Sequence, residues 1–218
     1  MNEIVPDFND SLIIDSSKML SDYLELGIDS VLENECLKEI PIVKSIIGAG
    51  KIIKSIRERN LIKNLAIFLN ELNSGNINKE KLTQHKEKLK SNAKKAEKEL
   101  GRVLIILEQI IDNEKAQILA KLYKSYINQE IDWNLFVEFS EVTNMLYIND
   151  LSVLLLIYRN ELNDTTNRND LYRIERIKSL GIIGLSPKML YVSNATSRQD
   201  SYIVLNSMGK IYTRIIFN

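Results

Sequence analysis

Apolar residues recur at helical spacing along most of the chain and predict a mainly helical protein. Between residues 11 and 37, apolar side chains fall on one face of an amphipathic helix whose other face is acidic. A second amphipathic helix is predicted from Ile40 to Leu72, with Pro41 in its first turn, where the missing N–H of proline costs nothing. We therefore expect two consecutive helices separated by a short break at residues 39–41.

The segment from Asn78 to Ile111 carries an apolar residue at every seventh position, which predicts one long charged heptad helix. Its first half is rich in lysine, glutamate and asparagine, and is expected to project or to pack along one edge. Its second half contains the apolar run VLIILEQII and is expected to enter the core. Three more helices follow, over 113–128, over 133–147 and from residue 149, and their short connections are typical of an antiparallel bundle.

Beyond Asn163 the pattern changes from helical periodicity to a mixture of helix and strand. A helix over residues 170–180 is expected to end at a glycine, and the strand GIIGL, a polar loop and a strand over residues 202–205 follow. Asn206 is expected to cap a last helix, MGKIYTRIIF. Helix, strand, loop, strand and helix follow one another in the order of a winged helix.

The predicted fold is therefore mainly α and has two domains. An antiparallel helical bundle that includes the long heptad helix is expected over residues 1–147. A small winged-helix-like α+β domain is expected over residues 148–218.

Composition narrows the class of protein. The 218 residues are 27% charged and 44% hydrophobic with a net charge of zero, which is ordinary for a globular protein and argues against a surface built wholly for nucleic acid. Cys36 is the only cysteine in the sequence, so no disulfide framework can form, and we expect the protein in a reducing compartment. The first ten residues, MNEIVPDFND, lack the apolar core of a secretory signal, so we expect a cytoplasmic protein.

The sign of the charge reverses near residue 40, where an acidic segment is followed by a basic, isoleucine-rich one. The eight Ile and Val residues of 40–56 favour insertion into a bilayer by at most about 5 kcal/mol, whereas Lys51 and Lys54 oppose it by about 5–7 kcal/mol. No transmembrane span is therefore predicted. Burial in the bundle is the favoured interpretation, and peripheral contact with an anionic membrane surface or a partner helix is the alternative.

The candidate partner or membrane-surface residues lie in the middle of this stretch. They are Ile46, Gly48, Gly50, Lys51, Ile53, Lys54, Arg57 and Arg59.

A second candidate surface is nucleic-acid contact by the winged-helix-like domain, whose helix before the strands would enter a major groove. The candidate residues are Arg168, Arg173, Arg176, Lys178 and, in the loop SNATSRQD, Arg198. A solvated basic face is favoured over this interpretation, because the loop offers one arginine and the whole chain is not basic.

No catalytic chemistry is predicted. GAGK at residues 48–51 resembles part of a phosphate-binding loop, but Ser45 and Ile52 occupy two positions that such a loop needs for glycine and for serine or threonine. With one histidine and one cysteine, no zinc site of these residues can be assembled. We expect His85 to be solvated and Cys36 to be semi-buried. We therefore expect no enzymatic activity, no bound metal and no cofactor.

The order of these segments resembles the abortive-infection alpha family of bacterial and prophage proteins. The shared features are the apolar, basic segment near the N-terminus, the helices after it, and the C-terminal stretches DLSVLLLIY and YIVLNSMGKIY. The resemblance implies a role in phage defence or phage–host conflict, and it carries over no catalytic residue. The expected function is a non-enzymatic scaffold that acts by association with a protein partner or with itself. A winged-helix DNA-binding regulator is the alternative.

Overall fold

The structure is a computed structural model, and it describes residues 4–14, 27, 30, 33–48, 55–75, 77–166, 168–188 and 200–218. The chain forms two compact units, unit 1 (residues 1–144) and unit 2 (residues 145–218). The fold is mainly helical with a two-stranded antiparallel sheet near the C-terminus, which confirms the predicted fold class. Within the described ranges, no helix has the length and apolarity needed to cross a bilayer.

Eight α-helices are described from residue 4 to the end of unit 1, and the last of them ends at the unit boundary. They are α1 (Ile4–Ser11), α2 (Glu35–Lys38), α3 (Pro41–Ile47), α4 (Ile56–Asn73), α5 (Lys79–Lys90), α6 (Ala93–Gln109), α7 (Glu114–Ile127) and α8 (Trp133–Met145). The described elements of unit 2 are α9 (Ile148–Tyr158), α10 (Leu171–Ser179), β1 (Ile183–Pro187), β2 (Ser201–Leu205) and α11 (Ser207–Phe217).

Helix α4 is at the centre of unit 1. It packs against α6 and α7, and every residue from Ile62 to Leu69 is buried. A helix that is buried all round belongs to a core. The Phe68 ring lies 6.1 Å from the ring of Phe8 in α1 and 5.8 Å from that of Tyr123 in α7, measured between centroids. The second half of the predicted 40–72 helix is therefore core.

The prediction of one continuous helix from Ile40 to Leu72 is wrong. Helix α3 ends at Ile47, and Gly48 takes a φ of +64°, a left-handed conformation that glycine adopts without steric penalty. Helix α4 begins afresh at Ile56, where the side chain of Ser55 accepts a hydrogen bond from the backbone N–H of Arg57. Residues 49–54, between these two helices, lie outside the described residues.

The long heptad helix is also two helices, α5 and α6. The chain turns at Ser91, and the Asn92 side chain caps α6 by accepting a 3.0 Å hydrogen bond from the backbone N–H of Lys95. The lysine-rich half does not project, because α5 packs against α1, α6 and α7 and buries Leu82 and Leu89. Short polar side chains that bond to the backbone favour helix ends over helix interiors, which explains the break.

The predicted start of a helix at residue 11 is the end of one. Helix α1 finishes at Ser11, whose hydroxyl donates to the Asp7 carbonyl at 2.7 Å and accepts from the N–H of Ile42 at 3.0 Å. Ser11 therefore satisfies a free N–H in the first turn of α3. Most of the predicted 11–37 helix lies outside the described residues, and α2 is its described remainder.

Unit 2 has the predicted order of helix, strand, strand and helix. Strands β1 and β2 pair in antiparallel register with Ile183 opposite Leu205. Gly181, after α10, has a φ of +73°, and the Asn206 side chain caps α11 by accepting from the N–H of Gly209 at 2.8 Å. These local signals in the sequence are confirmed.

Candidate interaction surface

The predicted surface of residues 46–59 is divided between two helices. Ile46 and Gly48 are half-buried at the end of α3, and Arg59 is half-buried in α4. Arg57, in the first turn of α4, is exposed and pairs with Glu108 of α6 at 3.0 Å. The other predicted members, Gly50, Lys51, Ile53 and Lys54, lie outside the described residues. The described members therefore do not form one helix face.

The predicted nucleic-acid residues of α10 are engaged in ion pairs within unit 2. Arg173 pairs with Asp170, and Lys178 Nζ lies 3.3 Å from Glu175 Oε2. Glu175 is itself exposed and would repel a phosphate backbone. Arg168 lies in a 3-10 turn before α10, and Arg198 is outside the described residues.

Arg176, the remaining predicted contact, is held by a fully buried carboxylate, Asp150 of α9. Its Nε donates to Asp150 Oδ2 at 2.7 Å, and its Nη2 donates to Oδ1 at 2.5 Å. Asp150 Oδ2 also accepts a 2.9 Å hydrogen bond from the backbone N–H of Tyr147, the residue before α9. Helix α9 begins at Ile148, one residue before its predicted start at residue 149. A two-pronged pair of this kind fixes the plane of a guanidinium.

The ion pair sets the charge state of Asp150. Burial alone would raise the pKa of its carboxyl group, but the hydrogen bonds from Arg176 and from the Tyr147 backbone outweigh burial and hold that pKa below its usual value of 3.8. Asp150 is therefore ionised at neutral pH and neutralises the charge of Arg176.

Two exposed tyrosines flank this guanidinium. The carbon at the centre of the Arg176 guanidinium lies 4.5 Å from the ring centroid of Tyr147 and 5.7 Å from that of Tyr172. The two tyrosines are 62% and 57% exposed, and Met145, close to Tyr147 in sequence, is 59% exposed. We call Tyr147, Tyr172 and Arg176 the aromatic surface.

The chemistry of the aromatic surface suits a protein partner. Tyrosine and arginine are among the residues most enriched at the positions that dominate binding energy in protein interfaces. Here the arginine is already paired and held in place, so little side-chain entropy remains to be lost on binding. Its paired charge offers little attraction to a polyanion.

A buried polar cluster in unit 1 was missed by the sequence reasoning. His85, expected on the surface, is 9% exposed, and its Nε2 lies 2.6 Å from Glu99 Oε1. Tyr123 and Tyr126 donate to the two oxygens of Glu99 at 2.9 and 3.2 Å. The missed signal is the spacing of Leu82, His85 and Leu89, which places the histidine on the apolar face of α5.

The cluster joins helices rather than forming an open site. Burial, and then the neighbouring Glu99 carboxylate, raises the pKa of both Tyr123 and Tyr126, so both remain protonated donors. Glu99 is 3% exposed and Tyr123 is fully buried, which closes the cluster to a substrate. These contacts fasten α5, α6 and α7 together.

Cys36, expected to be semi-buried, is exposed in α2. Across the described ranges, no three His, Cys, Asp or Glu side chains are grouped so that they could hold a metal ion. No family model, curated protein or solved structure matches the chain. Functional inference therefore rests on the surfaces described above.

Proposed function

We propose that the protein is a non-enzymatic interaction protein of bacterial or phage origin that acts by protein–protein association through the aromatic surface of unit 2. The observation that carries the proposal is an exposed pair of tyrosines around a guanidinium that Asp150 both orients and neutralises. The partner is a second protein or a second copy of the chain. The resulting complex takes part in anti-phage defence or phage–host conflict. The resemblance of the sequence to the abortive-infection alpha family supports that setting.

A winged-helix DNA-binding regulator is the second candidate, favoured by the position of α10 directly before the β1–β2 hairpin. Its weakness is that both arginines of α10 are paired within the unit. An electrophoretic mobility shift at low salt separates the two candidates, because a reader of duplex DNA retains affinity there.

The defence role predicts a phenotype for the aromatic surface. Bacteria that express the protein should plate a susceptible phage less efficiently, and the Tyr147→Ala, Tyr172→Ala double variant should lose at least tenfold of that protection, because truncating two interface anchors weakens binding by more than a factor of ten. Efficiency of plating across a phage panel measures the effect.

The matched control is Tyr202→Ala, which removes an exposed tyrosine of β2 that lies over Lys188 instead. It should protect as well as the unaltered protein. Protection that survives the double variant, or that falls equally in the control, contradicts the proposal.

A further inference from the structure

Two grooves run along α6 in unit 1 and share the lining residues Val5 and Glu97. The first, of about 690 Å³, lies between α1 and the α5–α6 turn, and the second, of about 720 Å³, continues along α6 towards Glu141 of α8. We call the two neighbouring grooves together the α6 trough. Its lining is largely apolar, and it includes Ile105, which is 57% exposed.

Gly101 lies in the middle of α6 and lines the trough. A glycine in a helix interior costs about 1 kcal/mol relative to alanine, so its presence needs a reason. In the described chain a Cβ built at Gly101 would meet no atom within 4 Å, whereas one built at Gly209 of α11 would collide with the Ile182 carbonyl. The chain's own packing therefore requires glycine at position 209 and does not require it at 101. Gly101 keeps the trough open.

Each of the two grooves has one lining residue with a buried polar atom that lacks a hydrogen-bond partner in the described chain. Asn9 Oδ1 and Arg102 Nε are buried without a hydrogen-bond partner in the described chain, and both residues line the trough. The other polar ends of these side chains are engaged, with Lys86 and Glu141 respectively. A buried polar atom without a partner costs free energy and marks a place where a contact is missing.

Lysines without partners border the trough. Lys90, Lys94 and Lys98 have no ion-pair partner among the described residues, and two of them line the grooves. Lys94 lies in the first turn of α6, where the helix dipole disfavours positive charge. Of the acidic lining residues, Asp10 pairs with Lys86 and Glu141 pairs with Arg102, which leaves Glu97. Among the described residues, the charged side chains at the trough that lack an ion-pair partner are therefore mainly positive.

We propose that the α6 trough is a docking site for an amphipathic helix of a partner protein, with the apolar face of that helix against Gly101 and Ile105 and its acidic flank along Lys90, Lys94 and Lys98. This is recognition of a helix in a groove, a common mode of peptide binding. A partner helix as long as the 17-residue α6 spans about 25 Å. The residues of this site belong to unit 1, whereas those of the aromatic surface belong to unit 2.

The test uses two synthetic 18-residue helical peptides with the same leucine face, one with glutamate and one with lysine on the polar face. The full chain should bind the glutamate peptide, and fluorescence anisotropy should show at least tenfold weaker binding of the lysine peptide. Affinity for the glutamate peptide should fall as salt rises from 50 to 300 mM, because the Debye length shortens by a factor of about 2.4 over that range.

Two variants locate the binding site. Gly101→Leu places a side chain in the trough and should weaken binding of the glutamate peptide at least tenfold. The thermal midpoint should stay unchanged or rise, because a Cβ at position 101 meets no atom within 4 Å and leucine favours the helix. The triple variant Lys90→Glu, Lys94→Glu, Lys98→Glu should also weaken it at least tenfold.

Matched controls make each result decisive. The first control, Thr83→Leu, adds the same side chain at an exposed position of α5 away from the trough. The second control is a triple variant that makes the same charge change elsewhere, Lys79→Glu, Lys88→Glu, Lys210→Glu. Both controls should bind as the unaltered chain does. The inference is overturned if neither peptide binds, if the two bind equally, or if Gly101→Leu binds as tightly as Thr83→Leu. None of these outcomes bears on the aromatic surface.

Discussion

A single carboxylate, Asp150, arranges the aromatic surface. It accepts the N–H of Tyr147 and two hydrogen bonds from Arg176, and the Arg176 guanidinium in turn lies beside the rings of Tyr147 and Tyr172. Breaking a buried pair by removing one partner leaves the other charge uncompensated. The surface therefore depends on a residue that no partner can touch, because Asp150 is fully buried.

Asp150→Asn should destabilise unit 2. The variant loses a charge-assisted pair, and we expect a loss of about 2–3 kcal/mol, less than for a fully enclosed pair because Arg176 remains partly solvated. Hydrogen–deuterium exchange in α9 and α10 measures it. Asp170→Asn, which removes the partner of the neighbouring Arg173, is the control and should have a smaller effect because that pair is more exposed at the carboxylate.

The same pair predicts an acid dependence. Because the pKa of Asp150 is lower in the folded chain than its usual 3.8, its stabilising contribution is complete above that value and is lost as the pH falls through the folded pKa. The stability difference between the unaltered chain and Asp150→Asn should therefore be constant from pH 7 to 5 and shrink below about pH 4. A difference that stays constant down to pH 3 would contradict the assigned role.

At the scale of single residues, the sequence shows which side chains are charged but does not show which of them form ion pairs. Arg173 and Arg176 are correctly placed on a helix before two strands, but Asp150 lies 26 positions from Arg176 and no local pattern links them. His85 was predictable, since its spacing from Leu82 and Leu89 places it on a buried face. Its partner Glu99 was not, because that contact depends on how α5 packs on α6.

At the scale of elements, helix ends with a local chemical signal were predictable. Asp132 accepts from the backbone N–H of Leu135 at 2.8 Å before α8, and Asn206 caps α11. The breaks at Gly48 and Asn92 were missed because the apolar periodicity continues across them. At Gly48 and at Asn92 the apolar periodicity predicts a continuous helix and the capping residue predicts a helix end. The helix ends at both positions, as the capping residue predicts.

The two helix glycines predict opposite effects of one substitution. Gly101→Ala should raise the free energy of unfolding by up to about 1 kcal/mol, because the new Cβ meets nothing and alanine favours a helix. Gly209→Ala should lower it by about 1–3 kcal/mol, because the Cβ would overlap the Ile182 carbonyl and force α11 away from the hairpin. Urea denaturation followed by circular dichroism measures both.

Each substitution is the control for the other, since both place alanine for glycine inside a helix. Equal effects at the two positions would contradict the packing described here. A destabilising Gly101→Ala would show in addition that position 101 is already covered.

At the scale of the whole molecule, the chain carries one candidate surface in each unit. Unit 1 has the α6 trough, bordered by lysines that have no ion-pair partner in the described part of the chain. Unit 2 has the aromatic surface, where the charge of Arg176 is paired with that of Asp150. The mainly helical fold and the small C-terminal sheet were predictable from periodicity and turn residues. Neither surface was, because each combines residues from helices that are distant in sequence.

Binding of a protein by the aromatic surface can be tested in cells by photo-crosslinking. Replacing Tyr172 by a photo-crosslinking phenylalanine analogue keeps an aromatic ring at the surface, and ultraviolet irradiation of cells that express the full chain then traps whatever lies against it. The same analogue at Tyr202 is the control. Protein binding at this surface predicts a discrete adduct from position 172 that protease removes and nuclease leaves intact, and no such adduct from position 202. An adduct that nuclease removes, or equal labelling from both positions, would contradict it.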